Sequence, residues 1–248
     1  MERENFANMN LPGFRFYDMD LRNADFTKAN LNGAVFNDAD LTGAVFTGAK
    51  LNEARLNKAN LSEANLSLAD LRDACLLGVN LQRANLSRAN LEKAVIQNAD
   101  CSHAILTEAI LKNAWMTDAN LRGASLQRAD LRGANLQHAN LQDTNLQEAN
   151  LQDANLQGTS FRQADLKYAN LWFAEMLNAD FTNADLRFTT LYVYKLIDAE
   201  SRQGVLVDDE VNMIMSISLN PKWKETDNNA LGYLMHLMAW MSDDQDQG

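Results

Sequence analysis

Two cysteines, two prolines and no long apolar run are what this 248-residue chain offers of three informative features. Cys75 and Cys101 form no ligand-like pair and are too few for a disulfide framework. Pro12 and Pro221 lie outside the long stretch between residues 21 and 200, so no missing N–H interrupts a backbone ladder there. No apolar run reaches the roughly 18 residues that suggest a spanning helix. The opening MERENFANMN lacks the apolar core of a signal peptide. These absences set a reducing cytoplasm as the expected setting, away from membranes. Basic residues are also short: 22 against 33 acidic ones, a formal net charge of −11. Direct nucleic-acid binding by a basic surface is therefore not expected. The 46% hydrophobic content is too high for a disordered chain.

What the sequence does have is a period. Stepping by five from Leu21 meets Phe26, Leu31, Phe36, Leu41, Phe46, Leu51 and so on to Leu191 and Leu196. Each marked residue is Leu, Phe, Ile or Met, apart from Cys101. Two places before each marker sits a small residue. From Ala24 to Ala184 it is Ala throughout, except at Val79, Thr144 and Thr159.

Five suits neither a helix nor a flat strand. A five-residue step turns a helical side chain by about 140°, so no apolar face persists. In a strand the marker would change faces at every step. The pattern works if the chain turns a corner in every five residues. Marker and small residue then point inward and the other three places point out. Four sides close a square of 20 residues, and squares stack at roughly 4.8 Å. All seven glycines between residues 21 and 200, among them Gly33 and Gly123, fall two places after a marker. There a turn wants positive φ. Asn or Asp most often precedes the marker, where its side chain can bond turn backbone.

The stretch ADLRGANLQHANLQDTNL resembles the pentapeptide-repeat family, and the match covers about residues 21–200. The resemblance implies an all-β solenoid: a right-handed quadrilateral β-helix, here of about nine coils. It also implies non-enzymatic work. Some members mimic duplex DNA, bind type II topoisomerases such as DNA gyrase and confer quinolone resistance; others are protein-interaction scaffolds. Several quinolone-resistance members carry projecting loops, and the unbroken register from Phe26 to Leu191 admits none.

Charge weighs against mimicry. Residues 21–200 hold 21 acids and 17 bases, and no side of the square collects an acidic stripe. Outward apolar residues say more. Cys75, Val95 and Trp115 precede markers 20 apart and should stack on one side, with Leu77 beside them. Ile105 and Ile110 sit on the two preceding sides of the coil that carries Trp115. This set is the candidate surface for a protein partner. A second set, Tyr168, Trp172, Phe173, Leu177, Phe188, Tyr192 and Val193, lies near the C-terminal end of the column, where the tail is expected to cover it.

The chain thus divides into an imperfect starting coil (1–20), a repeat column (21–200) and a tail (201–248). In the tail, TDNNALGYLMHLMAWMSDD suits a helix. Leu231, Leu234, Met235, Met238 and Met241 share one face, and Tyr233, Leu237 and Trp240 another. Such a helix could cap the open column and dimerise the chain, as C-terminal helices do in the gyrase-binding relatives. The expected assembly is a homodimer. No chemistry is legible. His103, His138 and His236 are isolated, and neither a metal-ligand spacing nor a phosphate-binding or nucleophile motif appears. No catalytic residue, metal or cofactor is expected.

Overall fold

The computed structural model describes residues 4–191 and 204–207. The chain divides into two compact units, Met1–Leu206 and Val207–Gly248. The helix expected over Leu231–Met241, with Leu234, Met235, Leu237, Met238 and Trp240, lies outside the described residues, as do Tyr192 and Val193. The described residues contain no helix.

The first unit is a stack of square coils. Parallel bridges join each residue ahead of a marker to the one 20 places on, from Asn5↔Asp25 to Asn170↔Thr190. The bridges of Asn10, Arg15 and Asp20 extend the same geometry through the first coil.

One repeat shows how five residues satisfy five backbone donors. Leu61 N–H donates to Asn80 O (2.7 Å), Glu63 N–H to Gln82 O (2.9 Å) and Asn65 N–H to Ala44 O (2.9 Å), tying three coils together. Ala64 N–H closes the turn on Leu61 O (3.0 Å). The fifth donor, Ser62 N–H, goes to Asn60 Oδ1 (3.2 Å). Asn or Asp ahead of the marker is thus the acceptor that leaves no turn N–H orphaned. The corner is a turn with one left-handed residue two places after each marker, as in type II geometry. Only eight glycines hold that place from residue 8 to 188; 29 other residues adopt it, including Leu68 (φ 61°) and Glu63 (φ 60°).

The interior holds markers and alanines, nearly all without solvent exposure. At the N-terminal end, Phe6, Phe26 and Phe46 stack in one column with centroids 4.8 and 4.7 Å apart. Phe16 and Phe36 stack in a second (4.6 Å). The two columns meet edge to face, as at Phe26–Phe36 (5.5 Å). Thr144 and Thr159 replace inward alanines, and their buried hydroxyls donate to Leu121 O (3.1 Å) and Leu136 O (2.7 Å) of the preceding coil.

Candidate protein-interaction surface

Residues ahead of markers form the centre of each side. On most sides these are Asn and Asp, joined by amide contacts such as Asn80 Nδ2 to Asn60 Oδ1 (3.0 Å). One side departs from this. Val35, Arg55, Cys75, Val95 and Trp115 bridge one to the next along it. None of these side chains can act as the local amide acceptor, and after Arg55 and Cys75 the preceding coil supplies it instead. Asn37 Oδ1 accepts Asn57 N–H (3.1 Å), and Asn57 Oδ1 accepts Leu77 N–H (3.0 Å). The corner below therefore frees the Cys75 place to carry an apolar residue.

Cys75 and Val95 are half-buried in their ladder. Leu77 stands exposed at the corner beside Cys75. Trp115 is 52% exposed, and Ile105 and Ile110 are exposed on the two preceding sides of the same coil. Thus three successive sides of one coil carry a large apolar residue at the centre, with Val95 and Cys75 extending the band toward the N-terminus. Leu68, exposed at a left-handed corner, was not singled out from sequence, because its place in the repeat carries no apolar expectation.

Part of the charge on the column is neutralised locally. Arg22, Arg72, Arg132 and Arg187 each grip the Asp two places earlier through Nε and Nη2; for Arg132–Asp130 the distances are 2.8 and 2.6 Å. Arg88–Glu108 (3.2 Å) and Arg128–Glu148 (2.9 Å) pair between coils. The guanidinium of Arg22 and the turn N–H it carries hold Asp20 down at about 2, and Arg72, Arg132 and Arg187 lower Asp70, Asp130 and Asp185 in the same way. Burial pushes the Cys101 thiol up to about 12. Among the described residues no group of His, Cys, Asp and Glu could hold a metal ion, and no helix is long and apolar enough to cross a membrane.

The family model of pentapeptide repeats matches in eight segments that together span residues 5–192. The chain belongs to the pentapeptide-repeat family. Its β-helix is accordingly the right-handed solenoid of that family. HetL, a pentapeptide-repeat protein involved in heterocyst differentiation regulation in the cyanobacterium Nostoc sp. strain PCC 7120, is 31% identical. That match covers 82% of this chain and 89% of HetL, with a TM-score of 0.54. QnrB1, a plasmid-mediated fluoroquinolone resistance protein, is 19% identical over 84% of this chain and 96% of its own, at a TM-score of 0.40. A pentapeptide-repeat protein of the Arabidopsis thaliana thylakoid lumen is 26% identical over 36% of this chain and 66% of its own, at 0.31. No curated protein matches the chain.

Proposed function

We propose that this pentapeptide-repeat protein is a non-enzymatic scaffold of the cytoplasm. Its rigid column presents the band formed by Trp115, Ile105, Ile110, Val95, Cys75 and Leu77 to a protein partner. The observation that carries this reading is the coil in which Ile105, Ile110 and Trp115 stand exposed on three successive sides. Elsewhere in the column those places are mostly Asn, Asp or Ser. Exposed apolar clusters with polar surroundings are what partner sites look like, and a central Trp is a common anchor. Family membership and the likeness to HetL support the same class of role.

The test is capture of partners from native extract by the wild-type chain and by Trp115→Asp, with circular dichroism showing that both are folded. The variant is expected to lose at least one protein that the wild type retains. Identical sets would remove the proposal. Topoisomerase binding by DNA mimicry fits less well, because no side of the column collects an acidic stripe and several carboxylates are paired with arginines of the same or the adjacent coil. A gyrase supercoiling assay with a quinolone tests it directly: neither protection nor inhibition at micromolar protein excludes it.

A further inference from the structure

Among the described residues no coil precedes the first coil, and its edge is chemically specific. In later coils the residue ahead of the marker turns both backbone groups toward the preceding coil. Asp40 N–H donates to Met19 O (3.0 Å), and Asp40 O accepts Leu21 N–H (2.8 Å). Asn5, Asn10, Arg15 and Asp20 hold that place in the first coil. Among the described residues, neither the N–H nor the C=O of any of the four has a backbone partner. All four residues are exposed. Each is one half of the antiparallel pair in which two facing residues exchange both bonds.

Apolar side chains accompany this edge. The inward place that is almost always Ala later in the column holds Met9, Phe14 and Met19 here. They remain exposed, as does Tyr17 at the corner between Arg15 and Asp20. In every later coil a preceding coil covers that place; here, among the described residues, nothing does.

From this edge we infer that the chain forms a two-fold, head-to-head dimer through its first coil, with Arg15 of each copy set on Asp20 of the other. A two-fold axis across the column end makes facing segments antiparallel, as the free bonds require. Four such axes suit a square end. The two that pass through opposite sides set Asp20 on Asp20 or Arg15 on Arg15, which like charges oppose. One diagonal pairs Asp20 with Asn5 and Arg15 with Asn10. The other, through the Tyr17 corner, brings Arg15 and Asp20 together twice. It also brings the Tyr17 corners of the two copies together.

The coil climbs roughly 4.8 Å per circuit, so its end is a step rather than a plane. The two columns are therefore inclined, which closes the retracted Arg15 and Asp20 sides onto each other. A single extended peptide would meet one side only and would not supply the opposite charge to both. Head-to-tail stacking is disfavoured because Leu206 already pairs with Asp185 at the other end.

Charge reversal on the full chain tests the dimer, read as mass by light scattering with a circular dichroism melt to show folding. Arg15→Asp leaves two acids on the edge, and Asp20→Arg leaves two bases. Each alone is expected to lose the association, halving the mass. An equimolar mixture of the two is expected to recover it, because each now opposes the other's charge. The double variant Arg15→Asp/Asp20→Arg is expected to recover it too. Asp20→Arg also removes the Asp20–Arg22 ion pair (2.6 Å), whereas Arg15 takes part in no described ion pair, so Arg15→Asp is the variant least exposed to misfolding. Association elsewhere on the chain would be equal in all four samples. A wild-type mass that the single reversals leave unaltered, a monomeric wild type, or a mixture without recovery overturns the inference.

Discussion

Asn57 Oδ1 accepts the backbone N–H of Leu77 at 3.0 Å, one coil further along the column. In most repeats that N–H belongs to an Asn or Asp two residues earlier, but Cys75 stands there. Removing the substitute acceptor should therefore cost about 0.5–1.5 kcal/mol, the usual value of one net hydrogen bond. Asn57→Ala is expected to lower the denaturation midpoint accordingly. Cys75→Asn should restore the local acceptor and recover most of the loss in the Asn57→Ala background, while gaining little in the wild type. Urea denaturation of the four chains reads the coupling.

Gly33 isolates the strain of the corner. Its φ is +66°, and a Cβ there would meet nothing within 4 Å. Gly33→Ala should destabilise by about 1 kcal/mol through backbone strain alone, and Gly33→Asn by less, since Asn tolerates the left-handed region. Gly123 is not equivalent, because a Cβ there would lie 2.6 Å from His103 Nδ1. Thermal melts of the Gly33 variants give the order wild type, Asn, Ala.

Acid should loosen the column only below the range in which ordinary surface carboxylates titrate. The carboxyls of Asp20, Asp70, Asp130 and Asp185 are held below the usual carboxylate range by their arginines. In the interval between folded and unfolded values the unfolded chain binds more protons, so stability falls as pH falls. The contribution is complete above about pH 4, the unfolded value, and is lost as pH falls through the lowered folded values, about 2 for Asp20. Replacing Asp70, Asp130 and Asp185 by Asn keeps the turn acceptor and removes the titration. That triple variant should show a flatter fall in midpoint from pH 5 to pH 2.

The two thiols should differ in reactivity. Cys101 is buried as a marker, and its thiol is pushed up to about 12, so almost no thiolate forms near neutral pH. Cys75 lies half-buried on an outward side. A thiol-specific reagent at pH 8 should modify Cys75 in the native protein and reach Cys101 only on denaturation. Mass spectrometry of native and urea-treated samples measures the two stoichiometries.

The five-residue register carried most of the column in plain sight. Marker and alanine positions, the corner two places later and the turn role of Asn and Asp all follow from local rules repeated without a break. The placement of Cys75, Val95 and Trp115 in one ladder follows from counting by 20. What counting could not supply depends on side chains meeting between coils. The Asn37–Asn57–Leu77 relay links corners rather than adjacent residues, and the paired Phe columns depend on which sides of the square face each other. Leu68 carries no signal in the repeat, because its left-handed corner place accepts almost any residue. The free edge at Asn10, Arg15 and Asp20 is a property of backbone groups, which side-chain periodicity does not encode.

The partner surface is tested most directly by an aspartate scan of the coil that carries Trp115, read by quantitative capture of partners from native extract. The account predicts that Ile105→Asp, Ile110→Asp and Trp115→Asp lose a common partner, while Thr107→Asp, Lys112→Asp and Thr117→Asp at the neighbouring corners retain it. Equal retention by all six folded variants, or equal loss at corners and side centres, would contradict it.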